Sequence, residues 1–172
     1  MQGLLRIGAD PMAAILHGTL DDARLPMRWI VVAGPVEAGE GPATERSGPA
    51  YFQAREQIEV AGKARDGLVM RSGSPGPDAL LGDVAPVLGT LLAELSPRQR
   101  TIARLAMVDG LRQADVADRL GVSRATVSVT WRRARVRSLG RLTDAVRSIF
   151  AAGVREAAAG TLPGEDPGTH RR

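Results

Sequence analysis

Residues 95–150 read LSPRQRTIARLAMVDGLRQADVADRLGVSRATVSVTWRRARVRSLGRLTDAVRSIF. This stretch opens with a helix start that has a mechanism. Ser96 can accept a hydrogen bond from the backbone N–H of Gln99, and the Gln99 side chain can reach back to the cap. Pro97 suits the first helical position, where a missing N–H costs nothing. Ile102, Leu105, Ala106 and Met107 then form an apolar stripe at helical spacing. Gly110 closes that helix, since a left-handed residue costs glycine little. A second helix over 113–120 turns Val116, Ala117 and Leu120 inward. Gly121 supplies the positive φ of a tight turn, Val122 plugs the core, and Ser123 caps a third helix expected over 124–137. In that helix Val127 and Ala134 lie two turns apart and face inward, with Trp131 or Thr130 between them.

The register of these positions is what matters. Ala117 is small, Gly121 follows four residues later, and Val127 six residues after that. A helix-turn-helix needs this order: the small residue lets the third helix cross close above the second, and the glycine makes the turn. A plain helical hairpin would ask for none of the three in register with the caps. In a helix-turn-helix the N-terminal residues of the third helix enter the major groove of DNA. Ser123, Arg124, Ala125, Ser128, Val129 and Arg132 are the residues expected to point there. Arg124 and Arg132 can each present a bidentate fork to guanine O6 and N7, and Ala125, Val129 or the Thr126 methyl can touch a thymine methyl. Arg133, Arg135, Arg137 and Arg141 are expected at phosphates, which position the protein without reading sequence. Taken singly, each arginine also fits an ordinary solvated helix face. Trp131 reads as a core residue rather than a base-stacking one.

Charge supports this division. The 172-residue chain carries a net charge of +4, but residues 95–150 hold 12 Arg, no Lys and four Asp. That leaves +8 in this stretch and −4 in the rest, the asymmetry expected when one part meets phosphate. The chain is 44% apolar, enough for a core, yet only 3% aromatic, so Leu, Val, Ile and Ala must build it. It has no cysteine, and its two histidines are His17 and His170. Disulfides and thiolate metal sites are therefore excluded, and no metal or other cofactor is expected. No apolar run approaches the roughly 20 residues of a membrane span, and the opening MQGLLRIGADP lacks the pattern of a signal peptide. The expected location is cytoplasmic.

Residues 1–77 read as a small α/β unit. Residues 3–8 (GLLRIG) form a short apolar strand, Asp10-Pro11 caps a helix over 12–20, and residues 27–33 (MRWIVVA) are a buried strand. Residues 34–48 form a Gly- and Pro-rich loop. Residues 49–62 are a helix with Phe52, Ala54 or Arg55, and Ile58 at helical spacing. Residues 67–72 (GLVMRS) form another strand and 73–77 (GSPGP) a loop. Asp78 opens an apolar linker helix to about Glu94, with a break near Pro86. Residues from Gly153 onward lack an apolar period, and 151–172 are expected to be a disordered tail. The fold class is thus α+β: a shortened α/β unit, then an all-α helix-turn-helix domain over 95–150.

The stretch from LSPRQRTIARLA to RVRSL resembles sigma-factor region 4 and LuxR-type regulators. The resemblance implies four short helices, the last one or two forming the recognition unit. Arg112 departs from it, since those families often cap the second helix with Ser, Thr or Asn. A wider resemblance covers QGLLRI, RWIVVAGPV, SGPAYFQAREQIE and SPRQRTIARLA with RQADVADRLGVSRATVSV: these resemble the SatD family of bacterial proteins. Members of that family usually begin with an α/β segment carrying a Gly-Asp motif ahead of the QGLL strand, and this chain starts at Met1-Gln2. The N-terminal half is also faintly similar to class III nucleotidyl cyclases, through RWIVVAGPV and GPAYFQARE. A winged-helix relation of the C-terminal part and a ferredoxin-like frame for the N-terminal part go with these likenesses. Cyclases hold magnesium with two aspartates on earlier strands, and nothing here matches those, so this half is expected to be non-catalytic.

The leading expectation is a DNA-binding transcriptional regulator that is not an enzyme, with double-stranded DNA as partner. An RNA-polymerase-interacting protein of the region 4 type is the alternative. A nucleotide-binding enzyme is the third: Glu37, Glu40 and Glu45 sit in the Gly-rich loop, but their spacing matches no phosphate-cradling motif and suits a solvated loop better. A homodimer is expected because such modules often read two half-sites, and because an absent strand would leave an open sheet edge.

Overall fold

The structure, a computed structural model, describes residues 3–6, 8–21, 27–37, 43–45, 47–64 and 67–160. Glu40 of the Gly-rich loop and residues 161–172 lie outside them. The described residues are mostly helical, with seven α-helices and a two-stranded sheet.

Helix α1 spans Pro11–Leu20. The Asp10 side chain accepts from the Met12 N–H at 2.9 Å, and Pro11 stands in the first turn, as its sequence implies. Strand β1 (Trp29–Val32) pairs in parallel with β2 (Leu68–Arg71), Trp29 opposite Leu68 and Val32 opposite Arg71. Helix α2 (Pro49–Ala64) makes the crossover between them. Neighbouring parallel strands joined by one helix are an unsplit βαβ unit. The ferredoxin- or cyclase-like frame expected for this half is therefore not what the described residues form. No strand occurs at the described positions among 3–8, and Leu4 and Leu5 are each 51% exposed. The β1 strand is half-buried rather than buried, while Leu68, Val69 and Met70 of β2 are buried. On α2 the inward side is Ala50 and Ala61; Phe52 and Ile58 are exposed, so small residues, not the large apolar ones, set this contact.

Helix α3 runs Pro75–Ala93, starting three residues before Asp78, with Pro75 in its first turn. Pro86 sits inside it without ending it. Leu81, Ala85, Leu88 and Leu92 are buried along one face. This helix packs on β2 at one side and on α7 at the other. Gly89 permits the close approach to β2: a Cβ there would stand 2.8 Å from the Leu68 backbone nitrogen.

The remaining helices are α4 (Pro97–Met107), α5 (Gln113–Leu120), α6 (Arg124–Arg133) and α7 (Val136–Gly160). One cluster of buried side chains runs from Met12 and Leu20 through Leu68, Leu88, Ile102 and Val127 to Phe150. Helix α1 packs on α4, and Arg147 Nε on α7 donates to Asp10 Oδ2 at 2.8 Å. Residues 151–160, expected in the tail, continue α7, and Gly153 is buried against Ser72 and Pro77. Of residues 151–160 only Gly153 is buried, and Ala152, Ala158 and Ala159 are exposed, so the segment shows no apolar period in sequence. No hairpin follows α6 among the described residues, so the winged-helix likeness has no wing to rest on.

Candidate nucleic-acid interface

Each helix of the motif starts as its sequence dictates. Ser96 Oγ accepts from the Gln99 N–H at 3.4 Å and Gln99 Oε1 accepts from the Ser96 N–H at 2.9 Å, closing the reciprocal cap of α4. Arg112 has no acceptor atom to offer as a cap. At α5 only the reverse half forms, with Asp115 Oδ2 accepting from the Arg112 N–H at 3.2 Å. Ser123 Oγ accepts from the Thr126 N–H at 3.1 Å and caps α6. Its oxygen also lies 2.8 Å from Thr126 Oγ1, so the Thr126 hydroxyl is held at the cap.

The turn is the expected one. Gly121 has φ 63° and ψ 34°, the left-handed region, and the Val122 N–H donates back to the Ala117 carbonyl at 3.1 Å. Val116, Ala117 and Val127 are buried, and Val122 and Trp131 pack half-buried against the same core. Between Val127 and Ala134, Thr130 donates its hydroxyl to the Thr126 carbonyl at 3.1 Å while Trp131 packs on the core, so Trp131 is the apolar member. Leu120, expected inward, is exposed at the end of α5.

The third helix ends sooner than expected, at Arg133 rather than 137. Arg135 takes φ 51°, left-handed for a non-glycine residue, and α7 begins at Val136. The cause is geometric. Val127, Ala134, Val136 and Leu139 are all buried. On one straight helix Val136 would lie about 180° around from Val127, facing out. The break at Ala134-Arg135 turns Val136 and Leu139 back to the core. Arg135 therefore sits in the joint and Arg137 and Arg141 on α7, while Arg124, Arg132 and Arg133 remain on α6.

The outer face of α6 gathers most of the expected site. Ala125, Val129 and Arg132 stand roughly opposite Val127, with Arg133 beside them. Val129, Arg132 and Arg133 frame a shallow recess. Ser123, Arg124 and Ala125 are exposed at the N-terminal end, and Thr126 and Ser128 are half-buried on the flanks. No acidic residue lies on α6, and none of Arg124, Arg132, Arg133, Arg135, Arg137 or Arg141 forms an ion pair with a described residue. Arg124 occupies the first position of the helix, where the macrodipole disfavours a cation. Val129 leaves 39% of an apolar side chain in solvent at the centre of this face. Both features cost stability and suit a surface that meets another molecule. Arg112 and Thr143, which line a cleft behind α6, were not legible as site residues, because that cleft is assembled from separate helices.

This geometry defines a helix-turn-helix domain. Residues 87–137 match the family model of sigma-70, region 4, which takes in the end of α3, all of α4–α6 and the start of α7. No curated protein and no solved structure matches the chain significantly. The family match does not reach the N-terminal segments quoted for the SatD and cyclase likenesses. Among the described residues no helix is long and apolar enough to cross a membrane.

Proposed function

We propose that the chain is a non-enzymatic transcriptional regulator that reads duplex DNA with α6. In this reading Ser123, Arg124, Ala125, Ser128, Val129 and Arg132 enter the major groove, with Arg124 and Arg132 on guanines and Val129 or Ala125 on a thymine methyl. Arg133, Arg135, Arg137 and Arg141 bind phosphates along both sides of the α6–α7 joint. The observation that carries it is the outward face of α6: apolar in the middle, cationic at both ends, with no acidic residue of its own and no ion pair to a described residue. The reading places the protein in the cytoplasm and needs no cofactor. In this reading the N-terminal half serves as a sensory or oligomerisation domain. A homodimer reading two half-sites belongs to this proposal; light scattering at micromolar concentration should return twice the chain mass, and a monomer mass rejects it.

The double substitution Arg124→Ala with Arg132→Ala tests the reading face. It should lower specific affinity by about 2–6 kcal/mol, twice the range for one bidentate contact, while circular dichroism stays native. Unchanged affinity and sequence preference would move the reading face elsewhere.

The match to sigma-70 region 4 favours a second reading, in which the domain binds RNA polymerase. Co-purification with the polymerase core at physiological salt distinguishes it from free DNA binding.

A further inference from the structure

We propose that the cleft behind α6 is a binding site for a small amphipathic anion, an acyl or aryl carboxylate. The cleft has a volume of about 570 Å³, within the range of small-molecule sites, and opens between helices of a bundle, a usual place for one. Leu16 of α1, Met107 of α4 and Trp131 of α6 supply apolar lining, and Arg112, Arg137 and Arg147 supply polar lining.

Charge decides the ligand. Asp144 and Asp10 both hold Arg147, so that arginine is already neutralised. Arg112 and Arg137 form no ion pair with a described residue, so three guanidinium groups face two carboxylates and the cleft is left with a net charge of +1. A carboxylate satisfies such forks bidentately. An anionic head with an apolar body meets both the net positive charge and the apolar part of the lining. A neutral hydrocarbon meets one, and a cation is repelled.

The site does not depend on the DNA reading, because binding can be followed without DNA. Its regulatory meaning does: a ligand here lies against Trp131 and Arg137, one on α6 and the other just past the α6–α7 joint.

The test is titration of the full chain with octanoate, and with 1-octanol as the uncharged control. Trp131 emission in a Trp29→Phe background reports occupancy, and calorimetry on the unaltered chain checks it. Octanoate should saturate one site, with octanol at least about tenfold weaker for loss of the charged contact. Gly140 lines the cleft and a Cβ there meets nothing within 4 Å, so Gly140→Leu introduces bulk at that wall. It should abolish octanoate binding and leave ligand-free DNA affinity unchanged. Arg112→Ala, on an exposed side chain, should weaken octanoate about tenfold without unfolding risk. Non-saturable binding, octanol as tight as octanoate, or indifference to both substitutions overturns the site. Saturable octanoate binding that leaves DNA affinity unchanged overturns the coupling to α6.

Discussion

In the proposed reading, Arg124 sets DNA recognition against stability at a single position. As a cation at the first position of α6 it opposes the helix dipole, at a cost of about 0.3–1 kcal/mol. Arg124→Glu should therefore raise thermal stability slightly while removing DNA affinity. A melting temperature that falls would show that Arg124 supports the fold instead. Arg135 offers a second residue-level test. Its φ of 51° is strained for a side chain, so Arg135→Gly should change stability by no more than about 0.5 kcal/mol, against about 1 kcal/mol for glycine in a helix interior. Urea melts give the answer, and a full 1 kcal/mol loss would mean that the helix runs through. The same substitution should reduce the salt slope of DNA binding by about 0.9, the share of one phosphate contact. At Gly121 the sequence was legible to the atom: a glycine between two amphipathic stretches at that register has one use, and φ 63° is it.

Among elements, caps and short helices were easier to read than ends and joints. The caps at Asp10, Ser96 and Ser123 are local, set by residues two or three apart, and all three form. The end of α6 is not local. It depends on Val136 and Leu139 being needed in a core that the sequence of α6 cannot display. The same holds for α3, where proline at 75 starts the helix and proline at 86 fails to break it, because packing on β2 and α7 holds both halves. The extension of α7 to Gly160 was hidden for another reason: it buries a glycine. A Cβ on Gly153 would overlap Ser72 Oγ and stand 2.6 Å from Ser72 Cβ and 2.8 Å from Pro77 Cβ. Gly153→Ala should cost about 1–3 kcal/mol by overpacking, read from denaturant melts. A neutral effect would return residues 151–160 to a loose tail.

At the scale of the molecule, the charge asymmetry and the helix-turn-helix were both present in the sequence, the first as a count and the second as a register. The arrangement of the N-terminal half was not. Two strands of four residues do not declare their partner, and parallel adjacency is a tertiary fact. Nor could the sequence show that α1 would lie on α4 and be tied to α7 through Asp10 and Arg147. That tie joins the first helix to α7, and its Arg147 also lines the cleft behind α6.

That α6 reads duplex DNA is tested most simply by selection of a random duplex pool by the purified chain at two salt concentrations. A short motif should be enriched, and affinity should fall with salt with a log–log slope of about −3 to −4 for four phosphate contacts. Absence of binding at low salt would overturn the DNA reading, and would turn the basic face of α6 toward a protein partner.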